Sequence, residues 1–315
     1  MQPKAILGQL SDVDIRLLRI FKVITESGGF SAAELELNIG RSTISRHIKD
    51  LETRLGVTLC HRGRSGFGLT DEGKVVYAAT LRLLTSINEF RSELAELHTN
   101  LTGKLILAMF DKTVTNPHCH VSKAIADYDS IAPNVKIEIH VDTMHNIEQG
   151  VIDGRYHVGI IPHHRPSTSL NYSNLFEEKM FLYCGEYHPL YKHKNVTREI
   201  VLKYKYAGLG YHSPNMENGL KLGWQRSATV YDQEALVCLL QSGKYLGYLP
   251  DHYAKSFVEK GQIKAIACTD FHYFCHYKAM TRVAPKPSRL VETFIQILDD
   301  VHQHNQTGEN ALLGS

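Results

Sequence analysis

The stretch Gly40 to Gly56, GRSTISRHIKDLETRLG, constrains the chain more than any other. Its apolar residues Ile44, Ile48, Leu51 and Leu55 recur at spacings of four, three and four. On a helix they form one stripe. At about 100° per residue, the opposite face carries Ser42, Arg46, Lys49 and Thr53, with Thr43 and Asp50 beside it. The stripe docks the helix on its own domain, and the basic, hydroxyl-bearing face offers donors to phosphates and base edges. Alone, the segment reads equally as a solvated surface helix, and its neighbours decide between the two.

Upstream, Val13, Leu17, Ile20, Phe21 and Ile24 fall at helical spacing, with Ser11 or Asp12 as N-cap and Gly28-Gly29 as the stop. Ser31 and Glu34 have the spacing of a capping box, which predicts a short helix over roughly 31–38. Gly40 permits a tight turn into the amphipathic helix. This is the order of a helix-turn-helix unit. After Gly56, Val57 and Leu59 suggest a strand, Gly63 to Gly68 a turn, and Phe67 with Leu69 a return strand. His61, Arg62 and Arg64 lie at that turn, as on a basic β-wing. From Arg41 to Arg64 there are six lysines and arginines against two acids, in a chain whose formal net charge is only +2. Such local concentration is the electrostatic footprint of a nucleic-acid contact.

Residues 12–73 resemble the winged helix-turn-helix of the LysR-type transcriptional regulators. The matching residues are Gly28 to Ser31 at the end of an aromatic-rich first helix, then Ser45, Ile48, Leu51-Glu52, Leu55-Gly56, Leu59, Arg62, Leu69-Thr70 and Gly73. Two places depart from the family pattern. Cys60 stands where the family usually has Phe, and Arg41-Ser42-Thr43 replaces the usual start of the recognition helix, so no operator sequence carries over. The expected DNA contacts are Ser31, Arg41, Ser42, Thr43, Ser45, Arg46, Lys49, Arg62 and Arg64. Ser42, Thr43, Arg46 and Lys49 are expected in the major groove, with Arg62 and Arg64 against phosphate or the minor groove.

From Thr70, a predicted N-cap followed by Asp71 and Glu72, helix-compatible sequence runs to about Thr99. Val76, Thr80, Leu83, Ile87, Phe90, Leu94, Leu97 and Leu101 alternate spacings of four and three, a heptad repeat. A small winged domain cannot bury such a seam alone. The reading is a dimerisation helix through Val76, Leu83, Ile87, Phe90, Leu94 and Leu97, as the family resemblance also implies. The alternative is a long helix packed within its own chain.

Beyond Gly103 strands alternate with helices. The order is strand 104–109, a helix from Asn116-Pro117 to about Ser130, strand 135–141, helix 145–152 and strand 156–161. This βαβαβ order signals a parallel sheet. A second α/β set follows, with strands at 179–185, 206–210, 228–230, 245–249, 263–268 and 271–280. Helices are expected at 195–203, 232–241, 251–255 and 289–302. Crossovers near 162–175 and 265–275 complete a resemblance to the family's two-lobed, periplasmic-binding-protein-like effector domain. The implied domains are 1–70, a winged helix-turn-helix; 71–102, a linker helix; and 103–315, an effector domain. Its first lobe is about 103–162 and 275–305, its second about 175–265.

In such folds ligands sit between lobes, at strand C-terminal ends. This picks out Lys112, Thr113, Thr115, Asn116, Thr143, His145, His163, Tyr211, His212 and Tyr231. A helix opening at Asn116-Pro117 would present free amides to a carboxylate, so the effector is expected to be small and anionic. The bland reading is that Asp111 and Lys112 are merely solvated.

Other signals count for less. Of 18 histidines, none shares zinc-finger spacing with a cysteine, so no metal and no cofactor is expected. The six cysteines form no CxxC pair and read as reduced thiols, although a redox pair of Cys268 and Cys275 is a second reading. There is no GxSxG, P-loop or HExxH, which argues against an enzyme. The N-terminus reaches Asp12 and Asp14 before any apolar core, and no run of about 18 apolar residues occurs, so neither export nor membrane insertion is expected. The sequence thus predicts a cytoplasmic, bacterial, homodimeric or homotetrameric regulator of promoter DNA. It would respond to a small molecule and meet RNA polymerase if it activates. A ligand-binding protein without a DNA role is the alternative.

Overall fold

A computed structural model describes residues 8–63, 66–96, 101–163, 165–193, 196–267 and 271–312. The chain divides into two compact units. The first ends at Arg91 and takes in Asp153–Arg155, and the second begins at Ser92.

In the first unit, α1 (Asp12–Glu26) opens on a reciprocal capping box. Ser11 accepts from the Asp14 amide, and the Asp14 carboxylate accepts from the Ser11 amide at 2.8 Å. α2 spans Phe30–Leu37 with Gly29 as N-cap. The expected Ser31–Glu34 box does not form, because Gly28 and Gly29, both at positive φ, turn the chain early and start the helix at Phe30. The Glu34 carboxylate accepts instead from the Arg41 amide, the first residue of α3 (Arg41–Leu55). Ile44, Ile48 and Leu51 of α3 are fully buried against Leu17, Phe21 and Ile24. Gly56 ends the helix in the left-handed region. β1 (Cys60–Gly63) and β2 (Gly66–Leu69) pair antiparallel as a short wing, with Cys60 opposite Leu69 and Arg62 opposite Phe67. The strand expected from Val57 begins only at Cys60.

α4 runs Asp71–Glu96. The Thr70 hydroxyl donates to the Thr58 carbonyl at 2.6 Å and accepts from the Gly73 amide at 2.8 Å. Val76, Tyr77 and Leu83 then pack on the winged core, with Tyr77 edge-on to Phe21. Thr80 is buried and its hydroxyl donates to the Val76 carbonyl. Phe90 and Leu94 are 59% and 47% exposed. The first part of the heptad therefore packs within its own domain. Val76 and Leu83, expected in a dimer seam, face their own domain, because α1 and the wing leave an apolar side that needs a cover. Leu97 lies outside the described residues.

The second unit begins with β3 (Gly103–Met109), α5 (Val121–Ile131), β4 (Val135–Val141), α6 (Met144–Ile152) and β5 (Val158–Pro162). Then come β6 (Leu170–Gly185), α7 (Arg198–Val201), β7 (Tyr206–Leu209), α8 (Pro214–Lys221) and β8 (Arg226–Val230). α9 (Gln233–Gln241), β9 (Leu246–Pro250), α10 (Asp251–Glu259), β10 (Ile263–Ala265), β11 (His272–Arg282) and α11 (Arg289–Leu312) complete it. The sheet order is β4-β3-β5-β11-β6-β9-β7-β8, with β10 on β6. β4, β3 and β5 are parallel in the first lobe, as are β8, β7 and β9 in the second. Between them β6 and β11 pair antiparallel from Leu170–Arg282 to Phe181–His272, with one register shift at Tyr277.

The expected crossovers near 162–175 and 265–275 thus run into strand, at Leu170 and at His272. The polar run at Leu170 to Glu178 concealed it, because its alternation follows burial between two lobes rather than one apolar face. The helix expected over 195–203 shrinks to Arg198–Val201. The polar stretch 211–224 contains α8, whose signals were a Ser213 cap and Pro214 in the first turn.

A Cβ on Gly73 would lie 2.0 Å from the Leu59 carbonyl oxygen, whereas one on Gly68 would meet nothing. Gly73→Ala should cost about 1–3 kcal/mol through overpacking against backbone. Gly68→Ala should stay within about 0.5 kcal/mol. Thermal unfolding of the winged domain separates the two.

Candidate DNA-reading face and inter-lobe cleft

With its stripe buried, α3 leaves Arg41, Ser42, Arg46 and Lys49 exposed and Thr43 and Ser45 half-buried. Ser31 is exposed on α2. Arg54 faces inward: its Nε lies 2.9 Å from the Asp14 carboxylate, which is itself buried. Hydrogen bonds from Ser11, with Arg54 beside it, hold the Asp14 carboxyl below its usual range. One of the six cations counted in the sequence therefore serves the fold. Burial, together with Arg16 and Arg46, holds His47 below its ordinary value. Arg16 of α1 therefore stands near this face, a proximity that linear sequence does not show. Arg64 and the side chain of Arg62 lie outside the described residues.

In the second unit, the ends of β3, β7 and β8 meet. Asp111 Oδ2 accepts the Gln233 amide at 2.8 Å, joining the first lobe to α9. Lys112 Nζ lies 3.4 Å from the Glu234 carboxylate and over the Tyr253 ring. Phe110 meets Tyr211 edge-on, with ring centroids 6.3 Å apart. Among the described residues, Asp111 Oδ1, Gln233 Oε1 and the Tyr211 hydroxyl are buried without a hydrogen-bond partner. Burial pushes the Asp111 carboxyl up to about 6; the Gln233 amide and Lys112 oppose this, while Asp232 and Glu178 add to it.

The other expected contacts divide into groups. Thr113 is buried and donates to the Phe110 carbonyl at 2.6 Å. Thr115 donates to the Lys112 carbonyl at 2.8 Å and meets His252 Nδ1 at 2.7 Å. His252 Nε2 in turn lies 3.0 Å from the buried Glu178 carboxylate on β6. Asn116 donates to the Glu177 carbonyl and accepts from the His118 amide. These three therefore fasten the loop to the strand crossing. Thr143 sits at the α6 start, where its amide donates to Asp142. His163 packs on Tyr172 at 4.9 Å. His145, His212 and Tyr231 are exposed, with His212 3.6 Å from Glu217.

The expected anion site is not built. Residues 113–115 form a 3-10 turn with Asn116 at its end, and α5 starts five residues later at Val121. The Asx turn at Asn116 outcompeted helix initiation at Pro117. Asp111 and Gln233 escaped notice as a pair because only the fold brings residues 122 positions apart together.

No group of three histidine, cysteine or acidic side chains suited to a metal occurs among the described residues. Cys275 is buried, and burial pushes its thiol well up, which ill suits a redox sensor; Cys268 lies outside the described residues. Among the described residues no helix is long and apolar enough to cross a membrane.

Residues 99–303 match the LysR substrate binding domain, and residues 15–74 match the helix-turn-helix of bacterial regulatory proteins of the lysR family. The chain belongs to the LysR family. It is a LysR-type transcriptional regulator, with a helix-turn-helix DNA-binding domain and an effector-binding domain. The HTH-type transcriptional activator BauR of Pseudomonas aeruginosa is 40% identical over 292 residues, covering 92% of this chain and 96% of BauR. An uncharacterised HTH-type regulator of Methanocaldococcus jannaschii is 22% identical over 299 residues, covering 92% of this chain and 100% of that one. The fold is shared with the LysR family regulator CbnR, with a TM-score of 0.64 at 18% identity, covering 91% of this chain and 99% of CbnR. A structure of full-length CbnR with its target DNA gives 0.62 at 18% identity, covering 90% and 98%.

The raised Asp111 carboxyl should make the stability of the second unit depend on pH. Its contribution to stability is fully present below the unfolded value of 3.8 and is lost as pH rises through about 6. Asp111→Asn keeps an acceptor for the Gln233 amide and removes that loss. It should match the parent near pH 4 and exceed it near pH 8 by on the order of 2 kcal/mol, read from denaturant unfolding of the second unit.

Proposed function

We propose that this regulator is a bacterial, cytoplasmic, homo-oligomeric activator that reads two-fold promoter DNA with α3 and senses a small molecule between its lobes. The observation that carries the DNA reading is the division of α3, whose Ile44, Ile48 and Leu51 are buried while Arg46 and Lys49 are exposed. Ser31, Arg41, Ser42, Thr43 and Ser45 flank those cations, and Arg62 and Arg64 belong to the wing. The exposed Phe90 and Leu94 support pairing through the outer half of α4. Resemblance to BauR, named as an activator, supports activation, with RNA polymerase as the further partner.

The cleft reading rests on the Asp111–Gln233, Lys112–Glu234 and Phe110–Tyr211 contacts. A ligand that remakes these contacts shifts one lobe against the other, and thereby the placement of the DNA-reading heads in the oligomer.

Footprinting on the DNA upstream of the chain's own coding region tests the regulator reading. Protection over at least two helical turns is expected, and none at low salt would overturn it. Arg46→Ala and Lys49→Ala should each weaken binding and shallow the salt dependence by roughly one phosphate contact. Arg54→Ala should instead lower the stability of the winged domain and leave the salt slope unchanged. Phe90→Asp should shift the oligomer toward monomer in analytical ultracentrifugation.

A further inference from the structure

The cleft's polar groups are not neutral in chemical type. Four backbone donors at its helix starts are already engaged. The Gln233 amide is held by Asp111 and the Ala235 amide by Asp232, at the start of α9. At α8 the Met216 amide is capped by Ser213, and at α6 the Asn146 amide faces Thr143. The cation Lys112 is paired with Glu234. Among the described residues, three buried oxygens here have no hydrogen-bond partner: Asp111 Oδ1, Gln233 Oε1 and the Tyr211 hydroxyl. Gln233 is 98% buried, being only 2% exposed. The three residues are neighbours. Asp111 bonds the Gln233 backbone, Tyr211 packs on Phe110 next to Asp111, and the Tyr211 hydroxyl feels the Asp111 charge. Two further side-chain nitrogens without a partner, those of Asn215 and Asn218, sit on α8, where the Asn215 carboxamide oxygen accepts from the Tyr206 hydroxyl.

Resting on the reading of this cleft as the effector site, we propose that it takes the ammonium end of its effector, with Asp111, Gln233 and Tyr211 as the three acceptors. A primary ammonium carries three N–H donors and a full charge, which matches three oxygens, one of them a carboxylate. A carboxylate ligand would meet the acids Asp111, Asp232 and Glu234, and the nearby cation Lys112 is already paired with Glu234. This inverts the anionic preference read from the sequence.

Titration of the full chain with n-butylamine, butanoate and 1-butanol tests this, at equal ionic strength and a pH well above 6, followed by saturation-transfer NMR. Butylamine should bind one site per chain, and the other two should not. Asp111→Asn should weaken butylamine about tenfold, the value of one charge-assisted bond. Gln233→Leu should also weaken it, whereas Asp129→Asn, a neutralised acid on the exposed side of α5, should not. Failure of butylamine to bind, or binding unchanged in Asp111→Asn, overturns the proposal. Butanoate binding that Gln233→Leu abolishes would keep the cleft as effector site and overturn only its preference for ammonium. Binding of any probe indifferent to both variants would remove this cleft from effector sensing.

Discussion

The antiparallel pairing of β6 with β11 is the constraint on which the second unit depends. Each strand contributes to both lobes, so the lobes share one hydrogen-bonded ribbon instead of two loop linkers. A ribbon of this kind twists and bends more readily than it slides, because sliding would break every ladder bond at once. Rotation about a fixed register is the lobe motion that this ribbon permits. The buried Glu178–His252 contact, with Thr115 on the other side of the imidazole, ties β6, α10 and the loop after β3 at that crossing. Thr115, expected as a ligand contact, also takes part in holding this crossing together.

The two units solve opposite electrostatic problems. On α3 the cations point outward and remain hydrated, and the one exception, Arg54, is drawn inward by Asp14. In the cleft it is an acid, Asp111, that points inward. The Asp111 carboxyl is removed from water with one oxygen satisfied and the other not, so it rests in the folded chain at some cost. A binding site that holds such a group in place against solvation stores part of its affinity in advance.

Much of the architecture was legible. The stripe on α3, the Gly56 stop, the Thr70 cap and the βαβαβ order each follow from local rules, and local rules survive folding. What was lost depended on competition or distance. Ser31 and Glu34 had the right spacing for a capping box, but two preceding glycines set the helix start first. Asn116-Pro117 had the look of a helix N-terminus, but the Asn side chain turned back on its own backbone. The heptad in α4 was real, yet periodicity does not say which layer covers a residue, and Val76 and Leu83 face their own core. Asp111 with Gln233, the pair that gives the cleft its character, left no sequence signal, since neither residue is unusual in its own loop.

The seating of α4 on the winged domain has a mechanical consequence. Thr70 is bonded to Thr58, Gly73 lies against the Leu59 carbonyl, and Tyr77 abuts Phe21. The reading head and the first turns of the helix are thus one casting with no swivel between them. Seventeen residues separate Gly73 from Phe90, about 26 Å of helix at 1.5 Å per residue. Inserting a single residue in that strut would turn the head by about 100° relative to whatever grips its outer end. The reach and bearing of the head are therefore written in the length of the strut, as a key's bite is set by its shank.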